Sequence, residues 1–101
     1  MPVLPELRHR LRGLVAPIVT PFDGEGALSL PGLSRVLEFL AGAGVAGVIP
    51  GDLVGEFFAL TLDERHRLLE ETIRAVRGRM VVIALTADTS LENAVSLARA
   101  A

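Results

Sequence analysis

A chain of 101 residues, half of them hydrophobic, is long enough for one domain with a real core and too short for two. Its formal net charge of −2, with acids and arginines interleaved rather than blocked, argues against the basic surface that nucleic-acid binding needs. The absence of cysteine excludes disulfides and thiolate metal sites, and the absence of lysine excludes a side-chain Schiff base on this polypeptide.

Residues 1–13 read as an N-terminal extension. Its basic cluster, Arg8, His9, Arg10 and Arg12, lies beside Glu6 and two prolines and reads as a solvated face rather than a phosphate-binding or targeting patch. Leu14 to Val19 is a short apolar run ending in Thr20-Pro21-Phe22-Asp23-Gly24, a buried strand entering a turn. Ser29 then caps a helix whose first turn tolerates Pro31 and whose Leu30, Leu33, Val36, Leu37 and Leu40 share one face. The helix stops in Ala41-Gly42-Ala43-Gly44.

Val45 to Pro50 is a second continuous apolar run, too short for a helix and apolar on both faces, as a parallel sheet requires. A loop from Gly51 to Leu60 follows. Thr61-Leu62-Asp63-Glu64 is a capping box, and Leu62, Leu68, Leu69, Thr72, Ile73 and Val76 make the apolar stripe of the helix behind it. The opposite face carries Asp63 with Arg67 and Glu70 with Arg74 at i,i+4 spacing, and places His66 in solvent. Gly78 ends this helix. Met80 to Leu85 is a third apolar run, and Thr89-Ser90-Leu91-Glu92 a second capping box opening a helix through Leu91, Ala94, Val95 and Ala98. The longest uncharged stretch, Phe39 to Gly51, is broken by glycines and Pro50 and cannot span a membrane, so a cytoplasmic protein is expected.

Three strand-then-helix units imply α/β architecture with parallel strands joined by right-handed crossovers. Such units suit the first part of a (βα)8 barrel or part of an open sheet. A dinucleotide fold would place Gly-x-Gly-x-x-Gly between its first strand and helix, and Thr20 to Gly26 offers no such set. The barrel is therefore the preferred reading, with residues 1–101 as the N-terminal part of one TIM-barrel domain. Three parallel strands leave two unpaired sheet edges, so the isolated chain is expected to be weakly stable or self-associating.

Four segments carry a family resemblance: Ala16-Pro17-Ile18-Val19-Thr20-Pro21-Phe22, Ala43-Gly44-Val45-Ala46-Gly47-Val48, Gly55-Glu56-Phe57-Phe58-Ala59-Leu60-Thr61, and the third strand with its Thr89-Ser90-Leu91-Glu92 cap. In this order and spacing, from about Leu14 onward, they resemble the dihydrodipicolinate synthase / N-acetylneuraminate lyase family. The resemblance implies a (βα)8 barrel, commonly a homotetramer, that condenses or cleaves 2-oxo acids such as pyruvate through a lysine Schiff base. It implies no metal and no cofactor. In such barrels the catalytic groups lie at the C-terminal ends of the strands. In this family the Schiff-base lysine is on the sixth strand and a proton-relay tyrosine on the fifth. This chain has neither residue type, so no catalytic residue is expected within it.

The family usually carries Gly-Thr-Thr-Gly-Glu after the second strand, where hydroxyls and amides hold the substrate carboxylate. Aligned on Gly55-Glu56, this chain offers Asp52-Leu53-Val54-Gly55-Glu56 as the substrate-binding loop, with Thr20 as a pocket edge. Two hydroxyls have become aliphatic, and an acid stands where glycine is usual. Each lost hydrogen bond to a charged group is worth about 1.5–3 kcal/mol, which puts ordinary pyruvate recognition in doubt. Asp52 reads equally as a substrate-side acid or as a turn residue bonding its own backbone. Glu56 reads as a loop residue holding backbone amides, Phe57 and Phe58 as packing groups, and Asp88-Thr89-Ser90 as a helix cap. His9 and His66, far apart in the chain, make no metal set.

The expected function is that of the N-terminal portion of a Schiff-base lyase, inactive alone. The alternatives are a degenerate barrel piece without catalysis, or a small-molecule binding module using the Gly51 to Glu56 loop.

Overall fold

The computed structural model describes residues 4–101. Met1, Pro2 and Val3, part of the extension read from the sequence, lie outside the described residues. In chain order the elements are α1 (Leu4–Arg10), β1 (Val15–Pro17), α2 (Leu30–Gly42), β2 (Gly47–Ile49), a 3-10 turn (Phe57–Ala59), α3 (Leu62–Val76), β3 (Val81–Val82) and α4 (Leu91–Ala100). The strands pair in parallel in the order β1-β2-β3, with Val15 opposite Gly47 and Gly47 opposite Val81. Each new strand is added on the same side of the last, so there is no point at which the order reverses. That is the order in which a barrel opens; the first three strands of a dinucleotide fold run in the same order, so it is the missing glycine set after β1 that separates the two.

The helices start where the sequence places its caps. Ser29 Oγ accepts from the Gly32 amide at 3.1 Å, with proline in the first turn of α2. Thr61 and Glu64 complete the reciprocal capping box of α3 at 3.1 and 2.9 Å. Leu33 and Leu37 from α2, Leu68 and Val76 from α3, and Ile18, Val45, Val48 and Met80 from the sheet and its flanks form the core. Thr72 is fully buried among them, and its hydroxyl donates to the Leu68 carbonyl at 2.7 Å, which removes the cost of hiding it. Gly47 suits the central strand, because a Cβ there would lie 3.2 Å from the Val81 carbonyl oxygen of the neighbouring strand, a tight contact with backbone.

Several expectations need correction. The strands are two or three residues long, shorter than the apolar runs Leu14 to Val19, Val45 to Pro50 and Met80 to Leu85, the ladder covering only part of each run. The expected extension contains α1, with an acid in its first turn and bases in its last. Arg8, His9, Arg10 and Arg12 are exposed, as a solvated face requires, and the Arg10 guanidinium also donates to the Gly78 carbonyl at 2.9 Å, linking α1 to the end of α3. Ser90, not Thr89, caps α4, accepting from Asn93 N at 3.3 Å. The buried residue of that helix is Leu97, while Leu91 and Val95 are exposed. On α3, Ile73 is exposed, and the ion pair on that surface is Arg74 with Glu71 at 3.0 Å rather than either i,i+4 pair. A bidentate pair of Arg79 with Glu38, at 2.7 and 3.0 Å, joins the C-terminal end of α3 to α2. Among the described residues no helix is long and apolar enough to cross a membrane.

Candidate functional site

The loops leaving the C-terminal ends of the three strands gather at one end of the sheet, and the residues singled out in the sequence lie there. Thr20, three residues beyond β1, is buried, and its hydroxyl donates to the Gly55 carbonyl at 2.6 Å. This bond fastens the loop after β2 onto the end of β1. It also engages the one donor of the Thr20 side chain. Gly55 is there because nothing larger fits: a Cβ would come within 2.9 Å of the Ile18 carbonyl and 3.0 Å of Thr20 Oγ1.

Asp52 takes the turn-residue role. Its Oδ1 accepts from the Leu53 amide at 2.7 Å, which stiffens the first turn of the loop. Leu53 and Val54 stand exposed beside it. Glu56 adopts the left-handed conformation, φ 56° and ψ 49°, which lets the chain turn into the Phe57–Ala59 segment. Its exposed carboxylate caps nothing, so the expected role in holding amides is not the one it plays. Phe57 meets Phe58 edge to face with ring centres 5.8 Å apart. Phe57 is partly buried, whereas Phe58 is exposed.

The group that organises this end of the molecule is Arg65, in the first turn of α3. It is 6% exposed and faces inward. Its guanidinium lies 5.0 Å from the centre of the Phe57 ring, donates to Asp88 Oδ2 at 3.1 Å and reaches the Leu85 carbonyl at 3.3 Å. One side chain thus joins the loop after β2 to the loop after β3. A signal was present: Arg65, Leu68, Thr72 and Val76 follow one helical face, and an arginine on a core face implies a buried partner.

Asp88 completes the clamp. Its Oδ1 accepts from the Ser90 amide at 2.9 Å and from Asn93 Nδ2 at 3.4 Å, so the residues read as a cap also carry the ion pair. The Ser90 amide first, then Asn93 and Arg65, hold the Asp88 carboxyl below its ordinary value of 3.8, against the opposing effect of burial. Burial pushes the Arg65 guanidinium down from its ordinary value, and Asp88 opposes that. A carboxyl lowered by folding contributes stability above its unfolded value and loses it as pH falls through the lower folded value. The Ser90 amide signal should therefore hold steady down to about pH 4 and shift only below it, and Asp88→Asn should abolish that shift.

His66 is also corrected. It is partly buried rather than solvent-facing, and its Nε2 is buried without a hydrogen-bond partner. It borders a cavity of about 20 Å³ between α3, α4 and the ends of β2 and β3, with Gly51, Leu85, Leu97 and Ala101. That volume fits one water molecule and no substrate. Among the described residues no cluster of three potential metal-ligating side chains occurs.

Thr20→Val tests the fastening of the loop. The change preserves shape and removes the buried donor, leaving the Gly55 carbonyl without that partner. It should cost about 1–2 kcal/mol in urea unfolding and speed amide exchange at residues 52–57.

Comparison with known proteins places this architecture. The family model described as the dihydrodipicolinate synthetase family matches residues 10–101. The 4-hydroxy-tetrahydrodipicolinate synthase of Gluconacetobacter diazotrophicus is 34% identical over 88 residues, which are 87% of this chain and 30% of that protein. The N-acetylneuraminate lyase of Salmonella paratyphi B is 34% identical over 91 residues, covering 90% of this chain and 31% of that one. Among solved structures, the chloride-inhibited dihydrodipicolinate synthase of Acinetobacter baumannii, complexed with pyruvate, superposes with a TM-score of 0.84 at 27% identity, over 89% of this chain and 31% of that one. The chain therefore spans under a third of the length of the relatives it matches.

Proposed function

We propose, from the premise that the chain belongs to the dihydrodipicolinate synthetase family, that it supplies the first three βα units of a Schiff-base lyase barrel. In this reading a lysine on another part of the complete protein attacks the carbonyl carbon of a substrate of the 2-oxo acid type. Water leaves, an imine forms, and the adjacent carbon–carbon bond is then made or broken. The present residues contribute one wall of the mouth: the Gly51–Glu56 loop, fastened by Thr20 and backed by the Arg65 and Asp88 clamp. A homo-oligomeric, cytoplasmic enzyme acting on a small molecule completes the proposal.

The observation that carries this reading is the gathering of three successive loops at the C-terminal ends of three parallel strands, where barrels of this class place their chemistry. Because the chain has no lysine, this reading requires the nucleophile to lie outside these 101 residues. The test is a chimera in which residues 1–101 replace the matching portion of the Gluconacetobacter synthase. An imine in equilibrium with its enamine exchanges the methyl hydrogens of pyruvate, or of its uncharged amide, with deuterated solvent, and needs no second substrate. The folded chimera should catalyse this exchange and the 101-residue chain should not. A folded chimera that exchanges neither compound would overturn the reading.

A further inference from the structure

Among the described residues the buried polar side chains, Thr20, Arg65 and Thr72, all have hydrogen-bond partners within the chain. The buried side-chain atom that has none is Nε2 of His66, next to Arg65 on α3. A ring nitrogen hidden from solvent loses its hydration, and without a partner it gains nothing in return. His66 borders the cavity of about 20 Å³ between α3, α4 and the ends of β2 and β3. A single water needs roughly 10–15 Å³, so the space holds one and leaves no room for a carboxylate or a phosphate. Leu69 and Leu97 supply apolar wall, whereas Arg65 and Leu85 bring polar groups to the same cavity. The guanidinium has five N–H groups, one of which donates to Asp88 and another to the Leu85 carbonyl, and that carbonyl oxygen keeps a second lone pair.

We infer that this cavity is a binding site for one internal water molecule, held by a hydrogen bond to His66 Nε2 and completed by Arg65 and Leu85. The class of ligand follows from the charges around it. Arg65 and Asp88 already neutralise each other at 3.1 Å, so an ion entering the cavity would be a buried charge without a counterion, while a water adds no charge. A metal is disfavoured a second way, since no cluster of three potential ligating side chains occurs among the described residues. A water can donate and accept at once, which lets it satisfy a ring nitrogen, a guanidinium N–H and a carbonyl together at little loss against direct bonds. Through it the His66 ring joins the polar network of Arg65 and Asp88, at a place where α3 meets α4. This role is independent of what the complete protein catalyses.

The test reads cross-relaxation between water and protein protons in the folded 101-residue chain. The His66 ring and the Leu97 methyl groups should show cross-peaks to a water held longer than the chain takes to tumble, recognised by NOE and ROE of opposite sign. In His66→Phe, which keeps an aromatic ring and removes the nitrogen, the Leu97 cross-peak should be lost. A second measurement does not depend on that variant or on the short chain. In crystals of the chimera grown with bromide in place of chloride, one oxygen-sized peak should lie about 3 Å from Nε2, without anomalous signal. No cross-peak in the folded parent, an undiminished Leu97 cross-peak in folded His66→Phe, an empty cavity in the crystal, or an anomalous peak within it would each overturn the inference.

Discussion

Arg65→Ala should destabilise the chain by about 3 kcal/mol in urea unfolding, the largest effect expected of any single charge removal here. The side chain is 6% exposed and makes three separate contacts, with the Phe57 ring, Asp88 and the Leu85 carbonyl. Its loss leaves a carboxylate and a carbonyl facing a void on the inner side of α3, and uncovers one face of Phe57. Hydrogen bonds to charged groups contribute about 1.5–3 kcal/mol each, partly offset here by the cost of burying the guanidinium. Arg65→Lys should recover less than half of the loss, because an ammonium cannot lie flat on the ring and reach both oxygens. Amide exchange should accelerate together in residues 53–57 and 85–90, since the same side chain holds both loops. Exchange that accelerates in one loop alone would show that Arg65 does not join them.

Gly55→Ala should cost about 2–3 kcal/mol by forcing the loop off the end of β1. The added methyl would meet the Ile18 carbonyl at 2.9 Å, Thr20 Oγ1 at 3.0 Å and the Gly51 amide at 3.2 Å. Two of these are backbone, and the third is fixed by its own hydrogen bond to Gly55, so none can yield cheaply. The signature beyond lost stability is a moved Thr20 hydroxyl resonance. A control is available in Gly42, the last residue of α2, where a Cβ would meet nothing within 4 Å. Gly42→Ala should be neutral or stabilise by up to about 1 kcal/mol, through helix propensity and a less flexible unfolded chain.

What the sequence makes legible follows from the range of the interactions involved. The starts of α2 and α3 are encoded within four residues, by Ser29 and by the Thr61 box, and the expected starts agree with the structure. The parallel sheet follows from three apolar runs separated by helices, although the ladder occupies only part of each run. The start of α4 was read one residue early because Thr89 and Ser90 both carry a hydroxyl. Asp88 decides between them: by taking the Ser90 amide it holds Ser90 extended, with its own hydroxyl turned to Asn93. The solvated surface read from Glu6 and the basic cluster agrees with α1, none of whose residues is buried, but the helix itself, signalled by an acid in its first turn and bases in its last, was not read.

The site was legible as a place and not as a set of contacts. Asp52 to Glu56 and Thr20 do come together at the end of the sheet. The bond from Thr20 to Gly55 spans 35 residues and that from Arg65 to Asp88 spans 23, and no local spacing rule encodes either. Glu56 shows the reverse error. A carboxylate in a loop suggests amide binding, but the left-handed backbone at this residue carries the turn without help from its side chain.

Borohydride trapping with intact-mass readout tests the central claim most directly, using labelled pyruvate and labelled pyruvamide on the chimera and on the 101-residue chain. A lyase barrel completed by a lysine from elsewhere predicts one label per chimera, on a lysine outside residues 1–101. The short chain should carry no label beyond its N-terminal amine. A folded chimera left unlabelled by both compounds, or a specific label elsewhere on the short chain, would contradict it.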